Sequence, residues 1–158
     1  MIKNLEEEIE ELLLQKKVKI SVAESMTGGL LAQRLTSISG SSKYFIGGVV
    51  VYSYYAKEKL LNIPYRILKE RGAISGEVAL LLAKNISDLL KSDIGLSITG
   101  NAGPIAQESK PVGLVYICIY FKGTSTVFER RFSGSREEIR EKACDETLYK
   151  LLETLEGG

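Results

Sequence analysis

Val22-Ala23-Glu24-Ser25-Met26-Thr27-Gly28-Gly29 joins a short apolar run, Val18 to Val22, to an apolar-periodic stretch that begins at Leu30. The pattern is strand, tight polar turn, helix. The two glycines give the turn its backbone freedom, and a serine and a threonine stand where the helix begins. Helix starts leave N–H groups unpaired and carry the positive end of the helix dipole, so they favour anionic groups. A serine there can act as a nucleophile with neighbouring amides as an oxyanion hole. The same residues also fit a plain structural role, with Ser25 or Thr27 as an N-cap and the glycines allowing close packing.

Working outward, Ile2, Leu5, Ile9, Leu12 and Leu13 recur at helical spacing and predict a helix over roughly 2–16. Lys19 to Val22 reads as a buried strand, and Leu30, Leu31, Leu35 and Ile38 as a second helix ended by Ser39-Gly40-Ser41-Ser42. A strand over 44–52 follows, then a short helix over 56–61. Pro64 can open another helix, with Gly72 as its C-cap residue. Ser75 caps a longer helix that carries Val78, Leu82 and Ile86. Ile94 to Thr99 is a strand that runs into the turn 99–104. Strands over 112–121 and 126–132 form a hairpin across 122–125, and Ser135-Arg136-Glu137-Glu138 is a capping box that opens the last helix. Strand–helix alternation with one late hairpin predicts a three-layer α/β/α sandwich with a mixed five-stranded sheet.

Composition sets the bounds. At 158 residues the chain is expected to be one domain, 1–158, with 44% hydrophobic and 26% charged residues. A formal net charge of +1 implies no nucleic-acid or anionic-membrane partner. No apolar run approaches a membrane span and no leader pattern is visible, so a cytoplasmic location is the default expectation. Cys118 and Cys144 match no metal spacing. The chain has no histidine at all. Acid–base chemistry near neutral pH must therefore use Lys, Tyr, Asp, Glu, Cys or water.

In such sheets ligands gather beyond the carboxyl ends of the parallel strands. Three polar segments leave strand ends there: Ala23 to Gly29, Tyr52 to Lys57 and Thr99 to Pro104. A serine nucleophile without histidine needs another base, and a lysine serves if burial leaves its amine neutral. Ser25, Lys57 and Tyr52 thus form a chemically consistent catalytic set, with Tyr52 relaying a proton or holding the lysine. Against this, Lys57 is one of 21 basic residues and also reads as a solvated helix lysine. The candidate substrate-binding residues are Glu24, Thr27, Gly28 and Gly29 of the first turn and Thr99, Gly100, Asn101, Ala102 and Gly103 of the third. Ser42 adds a turn hydroxyl. Arg136 and Arg140, one helical turn apart, can clamp a phosphate or pair with nearby glutamates.

The segments Ala23-Glu24-Ser25-Met26-Thr27-Gly28-Gly29, Gly40-Ser41-Ser42, Val51-Tyr52-Ser53 with Ala56-Lys57, and Gly72-Ala73-Ile74-Ser75 resemble the CinA C-terminal domain family. So do Ser97-Ile98-Thr99-Gly100 with Ala102-Gly103-Pro104, Lys110-Pro111-Val112-Gly113, and Phe132-Ser133-Gly134 with Arg136 and Arg140, in the family's order. The resemblance implies a nicotinamide-nucleotide amidase that converts nicotinamide mononucleotide to nicotinic acid mononucleotide and ammonia. It implies Ser25 as nucleophile and Lys57 as base, with Tyr52 and Ser42 in support. No metal or cofactor is expected. The expected partners are a small nucleotide substrate and further copies of the chain in a homo-oligomer. The chain departs from the family in having Met26 for a common cysteine. Tyr54-Tyr55 replaces a frequent Asn and acidic residue, and the loop Ile105-Ala106-Gln107-Glu108-Ser109 lacks the usual Asp-Gly-Gly. A non-catalytic nucleotide-binding or regulatory module that keeps the pocket is the alternative, and the altered loop is its best support.

Overall fold

A computed structural model describes residues 2–157. Asn4 opens α1 (Leu5–Lys16) by accepting a hydrogen bond from the Glu7 amide, and Glu6, Glu7 and Glu8 add favourable charge to that end of the helix. β1 (Ile20–Glu24) is buried along its whole length. α2 (Leu30–Leu35) stops three residues short of the predicted Ile38. A 3-10 turn, Ser41–Lys43, leads into β2 (Phe45–Val50). Ser53 caps α3 (Tyr54–Leu61), which therefore begins two residues earlier than the apolar pattern suggests. Pro64 precedes α4 (Tyr65–Arg71), Gly72 ends it, and Ser75 caps α5 (Gly76–Leu90). β3 (Ile94–Gly100), β4 (Leu114–Phe121), β5 (Thr124–Arg131) and α6 (Arg136–Gly157) follow.

The strand order is β2-β1-β3-β4-β5. β1 pairs in parallel with β2 and β3, whereas β3–β4 and β4–β5 are antiparallel. One core layer packs Ile9 and Leu13 of α1, Leu31 of α2 and Leu148 and Leu151 of α6 against Val22, Leu96 and Ile117. The other packs Leu61, Leu68, Leu82 and Ile86 of α3, α4 and α5 beneath Ala23 and Val51. The result is the predicted three-layer α/β/α sandwich with a mixed five-stranded sheet.

The start signal of the last helix takes the form the sequence suggests. Ser135 Oγ accepts from the Glu138 amide while the Glu138 carboxylate accepts from the Ser135 amide, a reciprocal capping box. The hairpin is tighter than predicted. Lys122 and Gly123 both have positive φ, so two residues suffice to reverse the chain, and β5 begins at Thr124. No helix among the described residues is long and apolar enough to cross a membrane.

The parallel strands end side by side, at Glu24, Val50 and Gly100. That edge carries the candidate site. Ser42 lies before β2, at the opposite end of the parallel strands from Ser25, so it is removed from the candidate set of this pocket.

Candidate active site

Ser25 is the first residue beyond β1. Its amide continues the strand by donating to the Ile98 carbonyl at 3.0 Å, which sets the side chain at the sheet end. The residue is 8% exposed. Lys57 sits on the second turn of α3, 1% exposed. Its Nζ lies 2.9 Å from Ser25 Oγ and 2.7 Å from the Val51 carbonyl oxygen. Burial lowers the Lys57 pKa to about 8, against the opposing pull of the Glu108 charge. A lysine in that range supplies neutral amine at mildly alkaline pH. With the Val51 carbonyl holding one N–H, the nitrogen lone pair of the neutral amine can face the serine hydroxyl.

The turn between β1 and α2 is organised by Glu24, which is fully buried. Its carboxylate accepts from the Thr27 hydroxyl at 2.6 Å and from the amides of Gly29, Leu31 and Ala32 at 3.2, 2.9 and 2.9 Å. This corrects the reading of Glu24 and Thr27 as substrate-binding. Glu24 caps α2 from the strand end, and Thr27 donates to Glu24. The positive end of α2 is occupied by protein, and neither Ser25 nor Thr27 is its N-cap. Gly28 and Gly29 take positive φ, and a Cβ on Gly28 would come within 3.0 Å of the Arg140 guanidinium. Neither glycine lines the cleft. The Gly28 amide donates to the Ser25 carbonyl, so the amides of 28 and 29 are both taken.

The cleft at Ser25 has a volume of about 80 Å3 and is lined by Met26, Tyr52, Gly100 to Gly103, Ile105, Gln107 and Arg136. Tyr52 stands at its rim, and its hydroxyl accepts from Arg136 Nη2 at 2.6 Å. Tyr52 makes no hydrogen bond to Lys57 in the described residues, so a direct Tyr52 relay to the lysine is not formed. Thr99 is turned away, donating to the Ala73 carbonyl at 2.9 Å, and is likewise removed as a substrate contact. The Asn101 amide group grips the following loop, donating to the Lys110 carbonyl at 2.9 Å. Ala102 and Gly103 border the cleft. Arg136 also donates to the Gly103 carbonyl at 2.8 Å. Arg140 lies beneath the first turn, donating to the Thr27 carbonyl at 3.0 Å, and does not line the cleft. Its Nε is buried without a partner among the described residues.

Sequence reasoning missed the Val51 carbonyl that holds Lys57, and missed Gln107 and Glu108. A backbone acceptor leaves no mark in a sequence, and the 105–109 loop carries no periodicity. Larger surface hollows lie elsewhere, one of about 380 Å3 beside Leu60 and Asn85. None of its lining residues forms a nucleophile–base pair.

The match to the CinA C-terminal domain model covers residues 2–155. A CinA-like protein of Koribacter versatilis is 52% identical over 138 residues, 87% of this chain and 33% of that protein. One from Dictyoglomus turgidum is 46% identical over 138 residues, 87% of this chain and 34% of its own length. The chain thus spans about a third of the length of these relatives. Among solved structures, a competence-damaged protein (CinA) superfamily protein from Klebsiella pneumoniae superposes with a TM-score of 0.94. It is 28% identical and covers 99% of this chain and 100% of that one. A competence/damage inducible protein from Agrobacterium tumefaciens gives a TM-score of 0.89 at 31% identity, over 99% and 98% of the two chains. Sequence along the whole chain and the three-layer fold agree, and the chain belongs to the CinA C-terminal domain family.

Proposed function

We propose that this chain hydrolyses the carboxamide of nicotinamide mononucleotide, giving nicotinic acid mononucleotide and ammonia, through covalent catalysis at Ser25. The observation that carries this reading is the buried Lys57 amine 2.9 Å from Ser25 Oγ. Ser25 Oγ attacks the amide carbon and a C–O bond forms while Lys57 Nζ takes the hydroxyl proton. Lys57 then passes that proton to the leaving nitrogen, the C–N bond breaks and ammonia departs. Water attacks the resulting ester and gives its proton to Lys57, which returns it to Ser25 Oγ as the ester C–O bond to the serine breaks and nicotinic acid mononucleotide departs.

Oxyanion stabilisation falls to backbone amides that are free. The amides of Met26, Ala102 and Gly103 make no hydrogen bond to the described residues and border the cleft. The cleft volume of about 80 Å3 suits the carboxamide and part of its ring. Ribose and phosphate then lie outward, where Arg136 is the one charged side chain of the lining. That single positive charge supports an anionic substrate.

Purified protein incubated with nicotinamide mononucleotide should release ammonia and nicotinic acid mononucleotide in equal amounts, with Ser25→Ala inactive. A protein that binds the nucleotide yet releases no ammonia from acidic to alkaline pH would be the non-catalytic module instead.

A further inference from the structure

We propose that Glu108 is the positioning residue of this site, a carboxylate that ties the helix carrying Lys57 to the loop that walls the cleft. The inference rests on Lys57 being the base. Glu108 follows Gln107, which lines the cleft. Its Oε2 accepts from the Tyr54 hydroxyl at 2.5 Å and the Ala73 amide at 2.8 Å. Its Oε1 accepts from the Ile74 amide at 3.0 Å and Lys110 Nζ at 3.2 Å. Tyr54 opens α3, three residues before Lys57. One carboxylate therefore joins the start of α3, the connection between α4 and α5, and the cleft loop.

The loop geometry shows that this tie holds against resistance. Glu108 and Ser109 both have φ of 56°, in the left-handed region that costs a non-glycine residue roughly 1 kcal/mol or more. Four donors on one carboxylate hold the segment there. Gly72 is part of the fit, since a Cβ at that position would come within 2.2 Å of Glu108 Oε1.

The same carboxylate acts on the base through its charge. Burial works against ionisation of Glu108, but the Tyr54 hydroxyl, the Ile74 and Ala73 amides and Lys110 outweigh it and hold its carboxyl below the ordinary value. Tyr54 stays protonated, pushed up to about 12 by burial and by Glu108. Other charges nearby are directed elsewhere. Lys110 donates to the Arg71 and Ile74 carbonyls as well as to Glu108, the Arg71 guanidinium faces Glu77, and Glu24 is turned into α2. Glu108 is thus the charged group whose field reaches Lys57.

The test uses a small neutral fluorophosphonate, which carries no nucleotide. Ser25 Oγ forms the O–P bond as fluoride leaves, and Lys57 takes the proton. Phosphonylation is followed by intact mass across pH in the full chain. The wild type should react with a limb near pH 8. Glu108→Gln should move that limb to lower pH by about half a unit to one unit, because removing a negative charge makes the lysine easier to deprotonate. Tyr54→Phe keeps the charge, so its limb should stay while its plateau rate falls several-fold. A Glu108→Gln limb that coincides with the wild type overturns the charge role, even if the variant melts earlier. An unchanged Tyr54→Phe plateau overturns the tie, and this arm stands if Glu108→Gln does not fold. A wild type that never reacts removes Lys57 as base and the proposal with it. Normal labelling without turnover of nicotinamide mononucleotide would sink the substrate reading alone.

Discussion

Lys57 is 1% exposed, and its surroundings set both reactivity and stability. Its pKa is about 8 in the folded chain against 10.5 as the ordinary value. Between these two values the unfolded state binds more protons, so stability improves as pH rises through the window and the full penalty applies below about 8. Each unit is worth about 1.4 kcal/mol. Lys57→Met removes the buried charge but also leaves the buried Val51 carbonyl without its donor, at a cost of about 1–3 kcal/mol. The variant should therefore be more stable than the wild type near neutral pH by about 1–2 kcal/mol, and under the proposed function it should release no ammonia from nicotinamide mononucleotide. Calorimetry and an ammonia assay on one sample check both halves, and a less stable Lys57→Met protein would show that the amine is not desolvated. Lys57→Arg should also be inactive, since guanidinium cannot accept the proton. Wild-type activity should rise with pH through about 8 as the amine loses its proton. Ser25→Ala should lower turnover by at least about a thousandfold with the fold intact, and near-wild-type rates would exclude Ser25 as nucleophile.

At the scale of elements, the turn between β1 and α2 depends on one side chain. Glu24 satisfies the Thr27 hydroxyl and three amides at the start of a six-residue helix. A helix that short has little stability of its own. Glu24→Ala leaves four donors without their acceptor, two of them buried and two partly buried, and the loss should be about 3–4 kcal/mol. Urea unfolding measures it directly. A loss below about 1 kcal/mol would mean that water or a shifted backbone replaces the carboxylate. The residues around this turn explain why its capping is misread from sequence. Ser25 and Thr27 have the right chemistry for an N-cap, but the cap comes from a carboxylate at the strand end, several residues upstream of the helix.

The whole molecule decides which charged side chain reaches the cleft. Arg136 reaches the cleft because α6 starts beside Gly103, where the two hydrogen-bond, and Tyr52 contributes from the far side. Arg136→Ala should weaken use of the nucleotide by roughly 1.5–3 kcal/mol, a tenfold loss or more, and affect the dephosphorylated nucleoside less. Arg140→Ala should reduce turnover of both compounds alike, because its contact is to the Thr27 carbonyl behind Ser25. Parallel kinetics on nucleotide and nucleoside separate the two arginines. Equal losses in Arg136→Ala would mean that this arginine does not read the phosphate.

Strand–helix alternation, the capping box at Ser135 and the placement of Ser25 at a strand end are legible in the sequence, because they depend on spacings of a few residues. The absence of histidine by itself narrows the base to a few residue types. Questions of distance across the sheet are of another kind. Ser42 reads as a turn hydroxyl that could support Ser25, yet parallel pairing of β1 and β2 puts the two at opposite ends. Lys57 reads as a surface lysine until α3 packs over the sheet and removes water from its amine. Thr99 and Thr27 look available, but each hydroxyl is taken by a neighbour that only the folded chain brings near. Local pattern determined the elements and set a serine at a strand end. Burial and strand pairing, which are properties of the packed molecule, decided which hydroxyl has a buried amine beside it and which residues form its cleft.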